Sequence, residues 1–193
     1  MKKILLLTVF SLAIMGVAHA EKADSEKEAV ITARSGHIDD IKQVRTLTGD
    51  VVLVKGTLTM KAGRALITED PQGYQFITFW ADPGKLATFR QKRDGAGDLW
   101  VEGEAERVEY NNKTEVVKLF SRAKLTRLEG AKVTDVANGA FISYDSRKEE
   151  FAMENSNSGT STADGGSVRM VIQPKTKAPA AEKAPATPAP GKK

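Results

Sequence analysis

The sequence predicts an all-β, antiparallel fold, on three grounds. Turn signals recur at short intervals through the middle of the chain, and the runs between them are rich in β-branched and aromatic residues. No internal stretch carries a long apolar stripe at the helical period. A sandwich, jelly roll or open barrel accommodates such a string of short strands.

In chain order, residues 1–20 read as a secretory signal. Lys2 and Lys3 supply the positive start, residues 4–17 the apolar stretch and Ala18-His19-Ala20 the small-x-small cleavage site. That stretch is too short to span a bilayer, which makes it a removable segment rather than an anchor. Residues 21–28 are expected to be a flexible N-terminal segment, and residues 29–173 a single folded domain. Residues 174–193 hold five of the seven prolines, six alanines and five lysines, the composition of a disordered tail. The formal charge of +4 belongs to these ends, because residues 21–173 carry 22 basic and 24 acidic side chains. A nucleic-acid-binding domain would show a basic face of its own, so no nucleic-acid partner is expected.

Within the domain the turn signals are Gly49-Asp50, Lys55-Gly56, residues 70–73, Asp82-Pro83-Gly84, residues 94–97, residues 111–113, Glu129-Gly130, Asn138-Gly139 and Asp145-Ser146. The clearest β-rich runs are 51–54, 57–60, 76–80 and 115–120. Alternation places Leu58 with Met60, Ala87 with Phe89, Val108 with Tyr110, Val117 with Leu119, Ala123 with Leu125, Ile142 with Tyr144 and Phe151 with Met153 on inward faces. Residues 108–113 align without gaps to residues 142–147 at an offset of 34, which reads as a repeated strand–turn–strand unit. Val168, Arg169, Met170, Val171 and Ile172, behind a Gly/Ser/Thr loop, read as a last strand whose edge is free to pair.

Candidates for chemistry are sparse. No cysteine is present, so disulfides, thiolate metal sites and a cysteine nucleophile are absent, and His37 is the only histidine beyond the signal. His37 with Asp39 and Asp40 is a poor ligand set, since adjacent strand positions face opposite ways. Residues 94–98 resemble a calcium loop but lack its regularly spaced oxygens. Glu102, Glu104 and Glu106 alternate along one face, which suits a solvated surface unless a second carboxylate opposes them across a cleft. No catalytic residue, metal site or cofactor is expected.

Three stretches carry a family resemblance: TGDVVLVKGTLTMKA at 48–62, GKLATF at 84–89, and VEGEA at 101–105 leading to Glu109-Tyr110. In this order and spacing they resemble the OstA-like family. Gly63-Arg64 stands where an acidic-basic pair is usual, which leaves the strand register there open. The resemblance implies a twisted, V-shaped antiparallel β-jelly roll around an apolar groove, in a periplasmic protein that binds lipopolysaccharide through its lipid A acyl chains. It also implies head-to-tail self-association, and edge-strand pairing with an inner-membrane export complex and an outer-membrane translocon. It places acyl-chain contacts at Phe89 and Tyr110 and sets Val30 near the entrance; alternation adds Leu58, Met60, Leu119, Ile142 and Tyr144. The alternatives are a periplasmic adaptor with a closed core and no lipid ligand, and a glycan-active jelly-roll enzyme using the alternating glutamates.

Overall fold

The computed structural model describes residues 24–174, so the signal segment and nearly all of the Pro/Ala/Lys tail lie outside the described residues. Twelve strands follow in order: β1 (Ala29–Thr32), β2 (Ser35–Asp39), β3 (Val44–Lys55), β4 (Leu58–Glu69), β5 (Gln75–Trp80), β6 (Ala87–Lys92), β7 (Leu99–Ala105), β8 (Arg107–Asn111), β9 (Val116–Glu129), β10 (Lys132–Asp145), β11 (Glu150–Glu154) and β12 (Arg169–Ile172). Every pairing among them is antiparallel.

Four strands are long enough to serve two layers. The first layer runs β2, the first half of β3, the second half of β4, β5, β8, the first half of β9, the second half of β10, and β11. The second runs β1, the second half of β3, the first half of β4, β6, β7, the second half of β9, the first half of β10, and β12. This is a jelly-roll-like arrangement in which continuous strands turn the corner between layers.

The corners form one seam. In β3 it falls at Gly49 (φ 83°) and Asp50 (φ 46°), in β9 at Ser121 (φ 62°) and Arg122 (φ 53°), and in β10 at a register shift between Gly139 and Phe141. Backbone hydrogen bonds run along it: Arg34 N–H donates to Gly49 O at 2.9 Å, Ala81 N–H to Glu106 O at 2.9 Å, and Glu106 N–H to Ser121 O at 3.0 Å. Two expected turns are corrected here. Gly49-Asp50 and Asn138-Gly139 do not end strands; they bend them, because a left-handed residue or bulge redirects a strand without stopping its ladder. Gly63 lies on the same seam, between Ala62 (opposite Val51) and Arg64 (opposite Thr48). A Cβ there would meet Asp82 Oδ1 at 1.9 Å, which accounts for glycine at this point.

Other turn signals do close hairpins. Lys55 pairs Leu58 and Glu129 pairs Lys132 across two-residue turns, and residues 94–97 lie in the β6–β7 loop. The offset-34 repeat forms two matching hairpins, β8–β9 and β10–β11, and a third copy appears at β2–β3. In each, an Asx side chain at the strand end accepts from the turn backbone: Asp39 from Lys42 N–H at 3.0 Å, Asn111 from Lys113 N–H at 2.9 Å, Asp145 from Lys148 N–H at 3.2 Å. In each, the residue four positions on is left-handed: Gln43 (54°), Glu115 (56°) and Glu149 (54°).

Candidate functional site

The two layers face each other across one apolar interior. Seven of the eight expected groove positions lie in it: Leu58 and Met60 on β4, Phe89 on β6, Tyr110 on β8, Leu119 on β9, Ile142 and Tyr144 on β10. None is more than 6% exposed, and all belong to one continuous cluster. Phe89 of the second layer stacks on Tyr144 of the first, with ring centroids 6.2 Å apart. Gly103 on β7 makes this possible, since a Cβ there would stand 2.2 Å from the Phe89 ring and 2.9 Å from Leu119. The interior is therefore filled by its own side chains.

Val30 is placed differently. It is 53% exposed and pairs with Val54, which is also exposed, whereas its neighbour Ile31 packs on the core. Side chains alternate along a strand, so the inward position on β1 belongs to Ile31.

The outer faces carry charged pairs beside a few exposed apolar side chains such as Val54 and Phe76. Glu102 pairs with Arg90, Glu104 with Lys124 at 3.1 Å and Glu106 with Arg122 at 2.8 Å, so each alternating glutamate has a cation beside it. Arg90 also lies 4.2 Å from the centroid of the Trp100 ring. His37 is exposed, while Asp39 caps the β2–β3 turn; the Lys42 backbone N–H and its ammonium hold the Asp39 carboxyl below the usual range. Among the described residues no three His, Cys, Asp or Glu side chains gather as a metal site would need.

The rims, where hairpins of the two layers meet, hold groups the sequence reading did not single out. Asp24 is buried and accepts from both Thr57 N–H (2.9 Å) and the Thr57 hydroxyl at the β3–β4 turn. Glu115, also buried, receives Arg147 Nε at 3.3 Å. Burial pushes the Tyr110 phenol far above the ordinary tyrosine range; Glu115 and Asp24 push it the same way, and Arg147 opposes them. Farther along, Arg93 Nη2 of the second layer reaches Glu149 Oε2 of the first at 2.7 Å, and Arg127 Nη2 donates to Glu149 O at 2.9 Å. The only sequence signal for these groups was the repeat offset, which relates Glu115 to Glu149.

Four strands stand at edges among the described residues: β11 and β12, which each pair only with β10, and β1 and β2. β12 pairs with β10 through residues 135–138 and has no described strand on its other side; Val168, Met170 and Ile172 are exposed there. At the opposite end β1 and β2 each pair only with β3.

Residues 30–150 match the family model described as LptA/(LptD N-terminal domain) LPS transport protein. The chain is 30% identical over 148 residues to the lipopolysaccharide export system protein LptA of Haemophilus influenzae, covering 77% of this chain and 81% of that protein. It is 30% identical over 121 residues to LptA of Escherichia coli K12, covering 61% of this chain and 64% of that protein. Among solved structures, it superposes on LptH of Pseudomonas aeruginosa, the LptA-homologous periplasmic component of a lipopolysaccharide transport device. That match has a TM-score of 0.67 at 24% identity and covers 78% of this chain and 99% of that one, a likeness of fold.

Proposed function

The chain belongs to the LptA/(LptD N-terminal domain) LPS transport protein family, and from that premise we propose that it is a periplasmic lipopolysaccharide-binding transport protein. It shields lipid A acyl chains between its layers and bridges inner- and outer-membrane parts of the export machinery through its edge strands. The observation that carries this reading is a single apolar cluster drawn from both layers, which extends from Ile31 on β1 to Phe151 and Met153 on β11. A buried methylene contributes about 0.8 kcal/mol, so a lipid with several acyl chains needs continuous cover to cross water. The alternating inward residues offer that cover without a nucleophile, metal or cofactor. The edges β12 and β1/β2 offer backbone donors and acceptors to a further strand, which supports strand addition by a second copy or by a partner domain.

The tight stacking of Phe89 on Tyr144 favours a second reading, an adaptor with a permanently closed core. Photo-crosslinking separates the two. A photoreactive residue at Phe89 or Tyr110, with a control at the exposed Lys61, gives lipopolysaccharide adducts only at the interior positions if the layers part to admit lipid. Equal labelling at all three, or none in a folded protein, supports the adaptor.

A further inference from the structure

The Arg93–Glu149–Arg127 cluster holds three of the four buried side-chain polar atoms without a hydrogen-bond partner among the described residues, and it sits at the rim between the layers. Arg93 directly follows β6, and Arg127 lies on the second half of β9, both in the second layer. Glu149 belongs to the β10–β11 turn of the first layer, so the cluster fastens one layer to the other. The Arg93 and Glu149 side chains are only 15% and 29% exposed. The buried Nε atoms of both arginines and Oε1 of Glu149 have no hydrogen-bond partner among the described residues. One carboxylate oxygen serves Arg93, and the other is idle.

Desolvation lowers the basicity of Arg127, and the neighbouring Arg93 lowers it further, while Asp135, Tyr144 and Glu149 act the other way. Two guanidiniums are thus held close together with less anionic oxygen than they can use. The Arg127 guanidinium lies 4.6 Å from the centroid of the Phe151 ring, and Tyr144 belongs to the apolar interior. Beside the cluster is an open hollow of about 790 Å³ whose wall includes Arg93, Leu99, Asp135 and Ile172. Cationic donors therefore stand at the rim of the apolar interior.

We propose that Arg93 and Arg127 form a binding site for the phosphate group of an amphipathic lipid, held closed by Glu149 until the phosphate displaces it. This deepens the transport reading and rests on it. A phosphate presents several acceptor oxygens to two planar forks, and can engage the Nε donors that Glu149 leaves idle. Displacing Glu149 also removes a tie between the layers, so headgroup capture and opening of the interior are one event. Asp135, opposite Arg127 in the ladder, keeps the site from being purely cationic and favours release.

The test uses the full chain and three probes: bisphosphorylated lipid A, the same lipid with its phosphates removed, and inorganic phosphate. The wild type binds the phosphorylated lipid about tenfold more tightly than the dephosphorylated one, as expected for charge-assisted hydrogen bonds. Arg93→Gln and Arg127→Gln abolish that preference, and Glu149→Gln increases it. Thermal melting of each variant, and of Arg93→Gln/Glu149→Gln in which the ion pair is removed as a unit, separates loss of fold from loss of the site. An unchanged preference in the folded arginine variants overturns the phosphate site and leaves lipid binding standing. Inorganic phosphate competing as strongly as the lipid assigns the pair to a free anion and overturns the lipid source. Failure of the wild type to bind either lipid overturns the transport reading itself.

Discussion

Gly103 and Phe89 act as one unit. The ring occupies the space a β7 side chain would fill, so Gly103→Val should force Phe89 out of place. Overpacking of this kind costs about 1–3 kcal/mol, and a urea melt reads it as a lower midpoint with an unchanged slope. Phe89→Ala leaves a cavity instead and should cost about 3–5 kcal/mol in the same assay. Tyr110 gives a pH signature. Its folded pKa lies above the ordinary 10.0, so as pH rises past that value the unfolded chain loses its proton while the folded one keeps it. Stability is therefore full below pH 10 and falls above it, and Tyr110→Phe should flatten that alkaline slope in melts taken across the range. At this scale the sequence was legible where strands are long: on β4, β9 and β10, alternation identified inward residues that are buried. Val30, which the resemblance rather than alternation set near the entrance, faces outward on the four-residue β1, and Ile31 faces inward. A strand so short holds too few alternations to establish its own phase, and its pairing with β3 does so instead.

At the scale of elements, the β8–β9 and β10–β11 hairpins were readable because their turn chemistry is local, whereas the β2–β3 turn was not among the turn signals read from the sequence. An Asx cap followed by a left-handed residue recurs at β2–β3, β8–β9 and β10–β11. The seam was not readable in the same way. A Gly-Asp pair within β3 has the composition of a hairpin turn, and only the continuation of its ladder with β4 on both sides shows it to be a corner. The ties between layers, such as Arg93 to Glu149, join residues 56 positions apart and leave no trace in local pattern. β12 invites a direct experiment. It contributes only a four-residue ladder at an edge, so a chain ending at Ser167 should fold with a modest loss of melting temperature. If β12 is the joining edge, concentration-dependent self-association in light scattering disappears with it. Association that persists in this truncation would move the joining surface elsewhere.

Taken whole, the molecule is a pair of layers hinged along one seam and tied at the rims, with its apolar side chains turned inward. The composition of residues 174–193 reads as a disordered tail, so ending the chain at Gln173 should leave both melting temperature and lipid binding unchanged. The central claim is that the filled interior opens to admit acyl chains. Cysteine-free as it is, the chain can be spin-labelled at Lys61→Cys and Lys118→Cys, exposed positions on the outer faces behind Met60 and Leu119. The distance between the labels, measured by electron–electron resonance with and without lipopolysaccharide, reports the separation of the layers. The account predicts a longer distance in the loaded protein, whereas an unchanged distance under saturating lipid would contradict it.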